Sequence, residues 1–256
     1  MVRIISVVSG KGGVGKTTIT INLAATLAKY FRKRVLIVDT NFTTSHLGLS
    51  LGIFYPKSNL NKILRNEDII ENAIHNYFVG MDLLPLSLSI RDLEGVDISK
   101  LPHVLNSVRE KYDYIFLDSA PGIGKEVIYS LNACNEVLYI ATPFLASITD
   151  IIRVREVVKE LNKNETGLII NMIRNKSYEM KLKEIETLTN LKILGTIPYD
   201  EKFLYSQHHK LAVIDLYPDS KLTKIFIEIA SNLTNEKLSR EKHFLIRFIM
   251  RIWPFK

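Results

Sequence analysis

Residues 10–17 read Gly-Lys-Gly-Gly-Val-Gly-Lys-Thr, a complete match to the pattern G-x-x-x-x-G-K-[ST]. Gly10, Gly12, Gly13 and Gly15 let successive backbone N–H groups around Val14 turn toward one anion, with a helix N-terminus behind them. Lys16 would sit between terminal phosphates, the Thr17 hydroxyl would ligate Mg²⁺, and Thr18 would join the nucleotide-binding residues at the start of the helix. Asp118 ends the apolar run Tyr-Ile-Phe-Leu-Asp, where a carboxylate can hold a Mg²⁺-bound water. The reading is a nucleotide site. Lys11, the second residue of the loop, is optional for a generic phosphate loop and by itself could be a solvated charge.

These residues need a scaffold, and the rest of the chain reads as one. β-Branched runs at 3–8, 34–39, 112–118, 136–141, 167–171 and 192–197 alternate with helical segments near 17–30, 101–111, 148–161, 178–188 and 221–233. That alternation predicts a mostly parallel, twisted sheet flanked by helices, in a single α/β domain over residues 1–236. Runs such as VLIVD suit strands buried on both faces. Residues 42–100 are less regular and predict short helices with one strand near 81–84. The aromatic groups at 53–55 and 203–205 read as packing or switch elements, and His46 as a loop residue.

The stretch SGKGGVGKTT resembles the deviant Walker A motif of the MinD/ParA family of P-loop ATPases, closest to its MinD-type members. VLIVDTNF (35–42), YDYIFLDSAPGIG (112–124), LIINMIRN (168–175) and GTIPYDE (195–201) resemble its later motifs in the same order. The resemblance implies ATP and Mg²⁺ as cofactors and a homodimer in the ATP state, in which Lys11 reaches the phosphates bound by the partner. It assigns Asp39 and Asp118 to the metal, Pro121 and Gly122 to a loop that senses the γ-phosphate, and Asn171, Pro198 and Asp200 to the adenine. The family usually has Asp-x-Asp where this chain has Asp39-Thr40-Asn41. An amide can position water but cannot take its proton, so turnover is expected to be weak unless Asp39, Thr43 or Thr44 substitutes.

The net charge of +7 is unevenly placed. Residues 237–256 hold six basic residues and one acid, so +5 lies there and +2 on the preceding 236 residues. In a helix over 240–253, Arg247 and Arg251 share a basic stripe, while Phe244, Leu245, Phe248, Ile249, Ile252 and Trp253 spread over a broad apolar face. With two internal arginines the segment is too short to span a bilayer. It suits a helix lying in anionic headgroups; a last helix docked on the body is the alternative.

MinD-type proteins end in such a helix. The expected role is therefore a cytoplasmic ATPase, peripheral on the inner face of the cell membrane, that positions a protein cargo and answers to an activator. A ParA-type partition ATPase binding DNA nonspecifically is the alternative, disfavoured by the near-neutral body. One cysteine, Cys134, argues against an iron–sulfur carrier within this fold.

Overall fold

The computed structural model describes residues 2–78 and 80–238. Eight strands form one sheet: β1 Arg3–Val8, β2 Val35–Thr40, β3 His75–Phe78, β4 Met81–Leu84, β5 Tyr114–Ser119, β6 Glu136–Ala141, β7 Asn164–Ile173 and β8 Ile193–Pro198. Their order is β3-β4-β2-β5-β1-β6-β7-β8. Every adjacent pair is parallel except β3 with β4. Strands β2 and β5 are buried at every position, as expected of strands covered on both faces.

Two apolar cores account for that burial. One contains Ile5, Val7, Ile37 and Phe116 with helix α1 (Lys16–Phe31) and the last helix among the described residues, Lys221–Thr234. The other contains Val8, Val38 and Leu117 with helices Leu101–Val108, Lys125–Ala133, Leu145–Glu160 and Leu182–Thr189. Alternate residues of each strand serve opposite cores, as the pleat requires.

Helix α1 begins at Gly15, which lies in the left-handed region with no side-chain cap. Its first N–H groups therefore have no side-chain acceptor. At its other end Arg32 takes φ 55°, and the N–H groups of Arg32 and Lys33 both donate to the Leu27 carbonyl. The chain then enters β2.

The last helix is tied to the amino-terminal ends of the strands. Arg3 bridges Glu136 at 2.6 Å and donates to the Leu233 carbonyl at 2.6 Å. Asn235 ends the helix with φ 57°, Lys33 pairs with Glu236 at 2.5 Å, and Leu238 packs partly buried on the α1 core. Body contacts thus reach two residues past the expected boundary at 236. Phe244, Arg247, Arg251, Trp253 and the rest of the expected membrane helix lie outside the described residues.

The region 42–100 holds two strands where one was expected. β3 is a partly exposed antiparallel edge whose register shifts between Asn76 and Phe78, so it lacks the alternation that marks a half-buried strand. Helix Lys125–Ala133 was also not anticipated. Cys134, at its end, is buried, and burial pushes its thiol up to about 11.

Phe226, fully buried on the last helix, meets Phe203 edge-on at 6.2 Å. Phe226→Ala is expected to cost about 3–5 kcal/mol, read as a lower urea midpoint.

Candidate nucleotide-binding site

The carboxyl ends of β1, β2, β5, β7 and β8 surround a cleft of about 540 Å³, within the usual range for a small-molecule site. Gly12, Gly13, Gly15, Lys16, Thr17 and Thr18 form one wall. Gly13 and Gly15 have φ of 76° and 94°, values that a side chain would strain. A Cβ on Gly15 would also lie 2.4 Å from Asn171 Nδ2. Gly10 and Val14 sit behind the wall. A Cβ on Gly10 would fall 2.2 Å from Asp150 Cβ, so this glycine lets the loop approach helix Leu145–Glu160 closely.

Lys16 is only 8% exposed, and its Nζ donates to Ser9 Oγ at 2.9 Å. Ser9 in turn donates to the Lys11 carbonyl at 2.7 Å. Burial holds the Lys16 ammonium below its ordinary range, opposed by the charge of Asp118. Ser9 was not identified from the sequence: it lies outside the motif, and a serine at a strand end carries no distinctive signal. Lys11 is exposed and does not line the cleft.

The sheet register brings the acidic groups to this loop. Val7 of β1 and Asp39 of β2 both lie opposite Asp118 of β5. Thr17 Oγ1 donates to Asp118 Oδ2 at 2.6 Å, while Asp118 Oδ1 is buried without a partner. An unpartnered buried carboxylate oxygen beside a threonine hydroxyl is the donor set a hard cation takes. Thr17 and Asp118 therefore fit Mg²⁺, which would neutralise charge on the phosphates. Asp39 differs: Oδ1 accepts from the Asn41 N–H at 3.0 Å, and Oδ2 from Ser45 Oγ at 2.7 Å and the Leu47 N–H at 3.3 Å. Both of its oxygens order the loop after β2. Burial and then the neighbouring Asp118 charge raise Asp39 to about 7; burial raises Asp118 to about 6.

Asn41 lines the cleft, but its amide is engaged locally, accepting from Thr44 Oγ1 at 3.0 Å and donating to the Thr44 carbonyl at 2.8 Å. Thr43 hydrogen bonds Glu126, which ties this first loop to the helix after the second. In the second loop, Gly122 has φ 82° and donates its N–H to the Ser9 carbonyl at 2.8 Å, and Pro121 lines the cleft.

At the far end, Asn171 Nδ2 donates to the Val14 carbonyl at 2.8 Å. The second Nδ2 hydrogen and the side-chain oxygen are not used by that bond. Pro198 and Asp200 line this end, and Asp200 accepts from the Lys202 N–H at 2.9 Å. Met172, Tyr199, Phe203, Leu204 and Gln207 also line this end, and Thr44, His46 and Ser50 line the cleft near the first loop. Phe203, read from sequence as packing, serves both purposes. Met172 has φ 60° where the β7–β8 register shifts, and such a bulge re-aims a side chain.

Residues 2–171 match the family described as an AAA domain. An uncharacterized ATP-binding protein of Methanocaldococcus jannaschii is 30% identical over 96% of this chain and 94% of its own. A virulence plasmid ParA family protein of Chlamydia psittaci is 30% identical over 91% of this chain and 95% of its own. The septum site-determining protein MinD of Pyrococcus horikoshii, solved with Mg-ADP, superposes with a TM-score of 0.87 at 29% identity, covering 94% of this chain and 99% of that one. The chain belongs to the MinD/ParA family of deviant Walker A ATPases. Its cofactors are ATP and Mg²⁺, and the cleft of this MinD/ParA ATPase carries the groups both require.

Because Asp39 and Asp118 both hold protons more tightly than ordinary carboxyls, a cation must displace a proton near neutral pH. The cation binds the charged form, whose share grows with pH. Mg²⁺-dependent ADP affinity is therefore expected to rise between about pH 5.5 and 8, measured by calorimetry, with little change for ADP in EDTA. Asp118→Asn should flatten that difference.

Proposed function

We propose that this ATPase is a MinD-type molecular switch: ATP joins two copies, the dimer holds an anionic membrane through residues 237–256, and hydrolysis releases both. The observation that carries this reading is Lys11, exposed beside the phosphate loop and outside its own cleft. A lysine so placed is available to phosphates bound by a second copy, where it stabilises transition-state charge as an arginine finger does. The amphipathic tail supports the membrane half of the reading. One such helix binds weakly, and two held in one dimer gain avidity. Bound in this way, the ATPase positions other cellular components.

Asn41 makes the switch slow. It lacks a carboxylate, and its amide is already engaged with Thr44. Asn41→Asp is expected to raise turnover about a hundredfold, the low end of a general-base contribution, with ATP affinity little changed. Lys11→Ala should lower turnover about a thousandfold, on the scale of a finger residue, while leaving ADP binding intact. An Asn41→Asp rate equal to that of the parent would remove the assigned role of that position.

The decisive experiment is vesicle co-sedimentation with Mg·ATP and with Mg·ADP, using the full chain and a chain ending at Asn235. Pelleting that requires both ATP and the tail is expected. A full chain that stays in solution in every nucleotide state would overturn the membrane reading.

A further inference from the structure

At the end of the sheet opposite the nucleotide lies a second groove, of about 750 Å³, at the amino-terminal ends of β1, β2 and β5. Val2, Ile4, Pro102, Tyr112 and Tyr114 contribute its apolar lining, and Lys33, Arg34 and Arg109 its cationic groups besides Arg3, which pairs with Glu136. Arg32 is exposed one residue before Lys33, and Lys111 two residues after Arg109. The acids nearby are mostly engaged. Asp113 pairs with Arg34 at 3.6 Å, Glu236 with Lys33 at 2.5 Å, and Glu71 with Lys111 at 2.9 Å. Glu110 is the remaining acid in the lining, and Arg32 and Arg109 have no acidic partner among the described residues.

The negative end of α1 accounts for part of the attraction that gathers cations at 32–34. It does not account for Arg109, which comes from a different segment and converges on the same groove. The described chain also ends here. Leu238 packs on the core beside Glu236 and its partner Lys33, so the root of the tail, residues 237–238, lies beside this face.

We infer that the face formed by Arg32, Lys33, Arg34 and Arg109 is a second membrane contact, which takes anionic phospholipid headgroups alongside the tail. This rests on the tail-anchored reading above. Two cations beyond those neutralised locally, set around a groove with an apolar floor, suit a phosphate with its glycerol backbone. The face and the root of the tail are adjacent, so a tail lying in the headgroups brings the face to the same surface.

The test is co-sedimentation of the full chain with Mg·ATP on phosphatidylcholine vesicles containing a rising fraction of phosphatidylglycerol. Arg32→Gln, Arg34→Gln and Arg109→Gln are combined in one chain. A second chain carries Lys176→Gln, Lys181→Gln and Lys183→Gln, which remove the same charge from exposed positions near the carboxyl end of β7. Mg·ADP binding checks that each is folded. The face variant is expected to bind at least about tenfold more weakly, given the worth of one basic residue at an anionic surface, and to need more phosphatidylglycerol. The control variant should match the parent.

Equal binding by both variants, with pelleting still lost on truncation after Asn235, would overturn this inference and leave the tail reading standing. A parent chain that never pellets overturns both. Duplex DNA binding that depends on the three arginines, without vesicle binding, would assign the face to nucleic acid and also overturn the inference.

Discussion

The register between β1, β2 and β5 is the constraint on which the site depends. Parallel pairing sets Asp39 and Asp118 side by side and brings the strand that feeds the phosphate loop to Asp118 from the other side. One residue of slip in β5 would turn Asp118 toward the opposite face of the sheet and separate it from Thr17. The strands are held in that register by two dry cores, so the metal-binding geometry is specified by apolar packing far more than by contacts among the site residues. The same dryness raises the proton affinity of both carboxylates, which leaves the acidic pair poorly stabilised until a cation arrives.

Around that rigid centre the mobile chemistry is assigned to loops with few but specific anchors. Gly122 rests on Ser9, the residue that also receives the Lys16 ammonium. Thr43 reaches Glu126, and Asp39 gathers Asn41, Ser45 and Leu47. The second loop is therefore tied to the phosphate end through Gly122, and the first to the second loop's helix through Thr43. Such connections can be exchanged at small cost, whereas moving a buried strand cannot. This division between a fixed sheet and exchangeable loop contacts is what a nucleotide-dependent switch requires.

Legibility in the sequence followed the range of the interactions. The phosphate loop was readable because its chemistry is contiguous, and Asp118 because it terminates an unbroken apolar run. Six strands and the strand near 81–84 were readable from composition, with ends displaced by a few residues. β3 was not, since an edge strand with one register shift has no clean period. Ser9 and Ser45 escaped notice because a serine becomes functional only through what the fold places opposite it. The base end of the cleft was half visible. Asn171, Pro198 and Asp200 came from the family order, whereas Met172, Phe203, Leu204 and Gln207 arrive through a bulge and a short helix with no motif. The bond from Asn171 to the Val14 carbonyl was not legible for the same reason, because the two residues are 157 apart in sequence.

The burial of Cys134 has a practical side. As the lone thiol of the chain, it is enclosed by the core and poor in thiolate at neutral pH, the form that reacts with maleimides and disulfides. A cysteine introduced on the surface would be the one fast-labelling position. Dyes or spin labels could then report the spacing of two copies, or the depth of a chosen face in a bilayer, without first removing a native residue.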